Sequence, residues 1–267
     1  MEELTEDQLQ RYNRHILLPE VGVNGQKKLL AAKVFIVGTG GLGSPVGYYL
    51  AAAGVGTIGI IDNDRVEMSN LQRQIAHSTR TLGMLKVESA TSTFEALNPD
   101  VNVIGIAERL SRDTIMDLIK NYDIVVDASD NFPTRYLVND ACVLMKKPLV
   151  SGAILKFEGQ VTTIVPGEGH CYRCLFEEMP QEGTVPSSRE SGVIGAIPGV
   201  IGSLQAIEVI KLILGKGELL KNTVLIYDAL KATFRRVTIP KNDKCPVCGE
   251  NPTITVLRDY EAEYCSM

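Results

Sequence analysis

Between the β-branched apolar run Lys33–Val37 and a helical stretch from about Leu42 to Ala53 lies Gly38-Thr39-Gly40-Gly41-Leu42-Gly43. This is a G-x-G-x-x-G loop in the context the motif requires, after a strand and opening a helix. Glycines let the backbone approach a phosphate, and a helix N-terminus offers free N–H groups with a partial positive charge. The next strand, Thr57–Ile61, ends at Asp62, where a carboxylate can accept ribose hydroxyls. Strand, Gly-rich turn, helix and strand make a βαβ unit, and Gly38, Gly40, Gly41, Gly43 and Asp62 point to a nucleotide. The loop does not say which nucleotide. The plain alternative is a turn rich in glycine only so that helix and strand can pack.

The β/α alternation continues. Helices are expected over Thr5–Leu18, Gly25–Ala32, Met84–Leu97, Arg112–Lys120 and Pro133–Met145. Strands are expected over Val101–Ile106 and Asp123–Asp127, with another opening at Pro148–Val150. The expected fold is α/β: a Rossmann-like, mostly parallel sheet with helices on both faces. After residue 160 the pattern changes. A strand at Gln160–Val165 precedes a loop over 177–191, expected to be mobile. A long apolar helix, Gly192–Leu214, follows, with a broken start near Pro198. Val224–Tyr227 and Thr233–Ile239 read as closing antiparallel strands. The chain divides into N-terminal helices (1–32), a nucleotide-binding core (33–165) and a C-terminal part (166–267), all one continuous domain. No apolar run is read as approaching the roughly 20 residues that cross a bilayer. With an acidic, polar start, this predicts a cytoplasmic protein with no membrane partner. The net charge of −5 argues against a duplex nucleic-acid ligand.

Charged side chains narrow the nucleotide. Asn70 and Arg73 follow the second strand; Asn70 can bind phosphate or a metal-bound water, and Arg73 can clamp phosphate oxygens bidentately. Lys86 stands near a helix start as a point charge. Asp130 lies beyond a strand's carboxyl end, where a carboxylate beside a triphosphate calls for Mg²⁺. Two cations and two acids around the loop favour ATP over NAD. A dehydrogenase would need a proton-transfer residue, and His15, His77 and His170 all fall outside predicted strand ends in the second half of the sheet. His77, in a polar loop, reads as solvated.

Cys171/Cys174 and Cys245/Cys248 form two CxxC pairs about 70 residues apart. Four thiolates give a closed, tetrahedral and therefore structural zinc site. It would staple the start of the C-terminal part to its end. Cys142 reads as helix packing and Cys265 as an exposed thiol.

Arg11-Tyr12-Asn13-Arg14, the glycine loop, Ser69-Asn70-Leu71-Gln72-Arg73-Gln74, Lys86, Asp127-Ala128-Ser129-Asp130-Asn131 and the two CxxC pairs occur in one order from about residue 10 to 250. In that order they resemble the ThiF/MoeB/HesA family, bacterial relatives of ubiquitin-activating enzymes. The resemblance implies ATP contacts at Gly41, Asp62, Asn70, Arg73, Lys86 and Asp130. It implies that Arg14 reaches into a partner subunit's site, hence a homodimer. The implied reaction is adenylation of the C-terminal Gly-Gly carboxylate of a small ubiquitin-like sulfur carrier, with ATP and Mg²⁺. A rhodanese- or cysteine-desulfurase-type sulfur donor would then act, for thiamine, molybdopterin or another thiolation pathway. Many members carry a cysteine before the long helix where this chain has Ser188; a serine hydroxyl does not readily form the corresponding covalent linkage. The rival readings are an NAD-dependent dehydrogenase and a non-catalytic zinc-containing binding module.

Overall fold

The computed structural model describes residues 3–181, 184, 191–258 and 260. Ser188 and Cys265 lie outside the described residues, as does most of 177–191. The chain opens with helices α1 (Glu6–Arg11), α2 (Asn13–Ile16) and α3 (Gly22–Ala31). The β/α part runs β1 (Lys33–Val37), α4 (Gly43–Ala53), β2 (Thr57–Ile61), α5 (Lys86–Leu97), β3 (Asn102–Ile106), α6 (Ile115–Ile119), β4 (Ile124–Asp127) and α7 (Phe132–Leu144). Then come β5 (Leu149–Leu155), β6 (Glu158–Ile164), α8 (Tyr172–Leu175), α9 (Ala196–Leu214), β7 (Thr223–Asp228) and β8 (Thr233–Thr238).

All eight strands join one sheet in the order β3-β2-β1-β4-β5-β6-β7-β8. Pairing is parallel from β3 to β5 and antiparallel from β5 to β8. Alternate residues of each parallel strand face opposite ways, as the two-residue period demands. Val34, Ile36, Ile58, Ile60 and Val126 join the core under α4, α5 and α9. Phe35, Val37, Ile61 and Val125 join the core under α6 and α7. Both faces are covered, so these strands read as unbroken apolar runs.

Three expectations are corrected. The helix expected over Thr5–Leu18 is two helices that break at Tyr12. Tyr12 is buried and its hydroxyl accepts from Asn98 Nδ2 at 2.8 Å, so the chain turns to insert the ring. The long helix has no broken start: it begins at Ala196 with Pro198 in its first turn, where the missing N–H costs nothing. This helix is also long and apolar enough to span a bilayer by length and composition, with 19 residues and a mean hydropathy of 1.7, against the reading that no such run exists. Here it is a core helix. Gly202 lies against Pro45 of α4 and the carbonyl of Leu42, the N-cap of that helix. Buried Gln205 donates to the Asp127 carbonyl at 2.8 Å, and buried Glu208 accepts from Thr163 Oγ1 at 2.5 Å and the Leu220 N–H at 2.9 Å.

The last glycine of the loop is required by packing. A Cβ on Gly43 would lie 2.0 Å from the Gly38 carbonyl oxygen, because α4 starts directly against the end of β1. Gly38 itself has φ +92°, a conformation glycine adopts without strain. The nucleotide and packing readings of the loop are therefore not rivals. The close approach that packs the helix also aims its N-terminus at the sheet's carboxyl edge.

Candidate active site

The chain leaves β1 toward β2 and β3 on one side and resumes with β4 and β5 on the other. The loops after β1 and β4 therefore diverge, and a crevice opens at the carboxyl ends of the strands, where open α/β sheets hold ligands. A cleft of about 1150 Å³ occupies this place. It is lined by Gly38, Gly40 and Gly41 after β1, Asp62 after β2, Arg73, Lys86, and Asp130 after β4. These residues come from five stretches of chain. Gly43 lies beneath the loop, and Asn70 and Arg14 do not line the cleft. Asn70 is buried, and its Oδ1 accepts from the Glu67 N–H at 3.0 Å, shaping the turn that carries Arg73. Arg14 is exposed on α2.

The cleft's polar groups are held by specific partners. Asp62 Oδ2 accepts from the Thr39 N–H (2.9 Å) and hydroxyl (3.0 Å), tying the glycine loop to the end of β2. Lys86 is buried and its Nζ lies 2.7 Å from Asp64 Oδ2. Arg73 Nη1 donates to the Ser69 carbonyl at 3.0 Å, and its stem runs beside Gly41. Asp130 is exposed, directly after Ser129 of a buried network. Asp127 Oδ1 accepts from the Ser129 N–H at 3.0 Å and hydroxyl at 2.6 Å. Asp127 Oδ2 accepts from Arg135 Nη1 at 3.2 Å and the Ser151 hydroxyl at 3.0 Å. Arg135 also donates to the carbonyls of Gly152 (2.8 Å) and Ser129 (2.7 Å). Both Asp127 oxygens and both terminal nitrogens of Arg135 are engaged in fixing the turn that presents Asp130, which is how a buried ion pair is tolerated.

The solvated reading of His77 is overturned. The ring is buried, with Nε2 3.1 Å from the Thr39 carbonyl and Nδ1 3.0 Å from Ser89 Oγ. The carbonyl can only accept, so Nε2 carries the proton. Burial pushes the pKa of His77 below its ordinary value, favouring the neutral ring. His77 braces the glycine loop from behind. Asp64, His77 and Arg135 were not singled out as site residues by the sequence. The one signal for Arg135 is a lone cation one turn into an apolar helix.

A second cluster lies away from the cleft. The four sulfurs of Cys171, Cys174, Cys245 and Cys248 all lie within 4.8 Å of one another. Cys171 and Cys245 are 3.5 Å apart, and Cys174 and Cys248 are 3.4 Å apart. These separations are too long for disulfides. They match a tetrahedron of thiolates about 2.3 Å from a central ion. The cluster is one that can hold a metal, and backbone N–H groups of Cys171 and Asn242 point at Cys174 Sγ, both at 3.5 Å. Cys142 is apart from it and fully buried, as expected, and burial pushes its thiol pKa up.

Comparison with known proteins adds the following. The ThiF family model matches residues 12–247. A sulfur carrier protein adenylyltransferase of Thermus thermophilus is 51% identical over 268 residues, covering 98% of each chain. A SAMP-activating enzyme E1 of Haloferax volcanii is 51% identical, covering 97% of this chain and 96% of that one. The adenylyltransferase and sulfurtransferase MOCS3 of Aedes aegypti is 49% identical across 99% of this chain, which spans 60% of that relative's length. Among solved structures, E. coli MccB with ATP superposes with a TM-score of 0.78 at 27% identity, covering 89% of this chain and 74% of that one.

Proposed function

The chain belongs to the ThiF family and is an adenylyltransferase, and on that ground we propose that it uses ATP to activate the C-terminal Gly-Gly carboxylate of a small ubiquitin-like sulfur carrier. The dehydrogenase and the non-catalytic module find no support among the relatives. The observation that carries the reading is the convergence of Gly40, Gly41, Asp62, Arg73, Lys86 and Asp130 on one cleft at the sheet's switch point.

In this reading the carrier's terminal carboxylate oxygen bonds to the α-phosphorus as the bond between the α-phosphorus and the bridging oxygen breaks. Pyrophosphate leaves and the carrier becomes an acyl-adenylate. The attacking carboxylate carries no proton, so no general base is needed. The barrier is the approach of two anions, and catalysis is electrostatic and positional. The amides of the glycine loop and the N-terminus of α4 receive phosphate oxygens. Arg73 and Lys86 supply positive charge, and Asp62 takes the ribose hydroxyls. Asp130 would hold Mg²⁺, which screens the charge on the phosphates when bound. Asn70 acts through the turn that orients Arg73. Zinc would sit among the four cysteines as a structural crosslink. The mixed anhydride is then open to a persulfide sulfur donor of rhodanese or cysteine-desulfurase type: the outer sulfur attacks the carbonyl carbon, AMP leaves, and a thiol that reduces the resulting acyl disulfide releases the carrier thiocarboxylate. The test is pyrophosphate exchange into ATP that depends on a Gly-Gly carrier, with Mg²⁺–ATP but not NAD protecting the chain against unfolding. Exchange that is absent with every such carrier, or protection by NAD alone, refutes the reading.

Residues 1–32 act in this reading as an arm toward a second copy, with Arg14 entering the partner's cleft in a homodimer. Arg14→Ala and Asp130→Ala proteins are then each inactive. After subunit exchange of equal amounts, half the molecules are heterodimers and each has one intact site, so about a quarter of wild-type activity returns. If Arg14 acts within its own chain, every site keeps one defect. No activity then returns despite exchange proven by mass spectrometry of tagged chains.

A further inference from the structure

A buried polar cluster on α7 and α8 grips one stretch of backbone that reaches the cleft. Asp140 of α7 receives Arg173 Nε at 3.0 and 3.1 Å and Nη2 at 2.9 Å. It also receives Asn139 Nδ2 at 2.9 Å and the Tyr260 hydroxyl at 2.6 Å. The Arg173 guanidinium lies 4.6 Å over the Tyr136 ring and 6.0 Å from the Tyr260 ring centroid. The outward ends of this cluster hold three successive carbonyls. Tyr136 hydroxyl lies 2.9 Å from the Phe176 oxygen and 2.6 Å from the Glu178 oxygen, and Arg173 Nη1 donates to the Glu177 oxygen at 3.1 Å. Phe176, Glu178 and Pro180 line the cleft. All of the gripping side chains are buried.

We propose that Tyr260 is a positioning residue that locks the Phe176–Pro180 wall of the cleft for the carrier's tail. This rests on the adenylation reading above. Tyr260 comes from the far end of the described chain, 120 residues from Asp140. Among the described residues, its hydroxyl completes the partners of a carboxylate otherwise met by Arg173 and Asn139. Arg173 is thereby held at the angle from which it reaches Glu177 and supports Tyr136. The wall is short, irregular backbone with little regular hydrogen bonding of its own, so its order depends on this grip. Asp62, Arg73 and Lys86 are held by Thr39, Ser69 and Asp64 and share none of these partners. Loosening the wall lowers the fraction of molecules competent for the tail, and apparent affinity falls by that fraction.

The expected signature is selective. Tyr260→Phe, which removes only the hydroxyl, raises the carrier KM about threefold, and Tyr260→Ala about tenfold, the range set by one buried hydrogen bond and its ring. The KM for ATP, the kcat at saturating carrier and the metal content stay at wild-type values. Amide hydrogens of residues 176–181 exchange faster in both variants, a measurement made without carrier. The probe is a recombinant ubiquitin-like sulfur carrier ending in Gly-Gly. Should Tyr260→Ala not fold, Tyr260→Phe alone carries the test. Unchanged exchange at 176–181 overturns the clamp, as does a carrier KM unmoved in an active enzyme. Parallel loss of ATP affinity, kcat and metal also overturns it, since that marks general destabilisation. If the wild-type chain adenylates no such carrier, the adenylation reading falls, and the amide exchange still decides the clamp.

Discussion

Asp130→Ala is expected to lower ATP–pyrophosphate exchange by at least about 100-fold, the scale on which removing one group that stabilises transition-state charge acts, in a protein that stays folded. The two halves of this result have separate causes. Asp130 is exposed on the cleft and takes no part in the core. The turn that carries it is fixed from below by Asp127, Arg135, Ser129 and Ser151, none of which the substitution touches. A surface truncation of this kind shifts stability by less than about 0.5 kcal/mol. Activity is different in the proposed reaction, because an anion attacking an anion needs its charge screened at the α-phosphate, and without Asp130 the Mg²⁺ it is proposed to hold would no longer supply that screening. Exchange kinetics and a thermal melt on the same sample check both halves. Near-wild-type exchange would remove Asp130 from the metal site; an unfolded variant would show that its role is structural. Substituting Arg135 instead should unfold the chain, because it strands the buried Asp127 carboxylate.

Cys248→Ser is expected to cost the fold itself. The four sulfurs join α8, at the start of the C-terminal part, to the 242–248 segment near its end. Cys171 and Cys245 are also members of the core that contains Tyr136, Tyr172 and Ile254. Four thiols forced this close without an ion repel or leave polar sulfur unpaired; an ion turns the same geometry into a crosslink whose binding energy is folding energy. Structural zinc is worth about 10–16 kcal/mol in isolated fingers. Even a third of that lowers the melting temperature of a domain this size by about 10–20 °C. Elemental analysis of freshly purified protein should give one zinc per chain, and Cys171→Ser and Cys248→Ser should lose both the metal and the melting temperature together. Metal-free wild-type protein with full stability would discard the site.

The order of strands and helices through β5 was legible because β1, β2 and β4 are buried on both faces and read as short apolar runs between turn residues. The glycine loop was legible because phosphate approach and helix–strand packing demand the same residue. The cysteine cluster was legible because paired thiols at CxxC spacing announce a set that can hold a metal. The helical ends were less so. The break at Tyr12 is caused by Asn98 and Gly54, which lie far along the chain, and no local pattern records such a partner. The same holds for α9, whose composition permits a membrane. Only the buried carbonyls, hydroxyl and amide that meet Gln205 and Glu208 make it a core helix.

The sequence by itself determined the sheet-and-helix class, the position of the glycine loop, the charged residues around it and the four cysteines that can hold a metal, since each rests on residue type at short spacing. Tertiary structure alone decided which of those residues meet. It set Asp62, Arg73, Lys86 and Asp130 on one cleft, moved Asn70 beneath a turn, and left Arg14 on the surface of its own chain. It also supplied Asp64, His77, Arg135 and Tyr260, whose roles are to hold other groups in place. A residue that acts by contact with a distant neighbour has no signature at its own position, because the chemistry belongs to the pair and the pair exists only once the chain has folded.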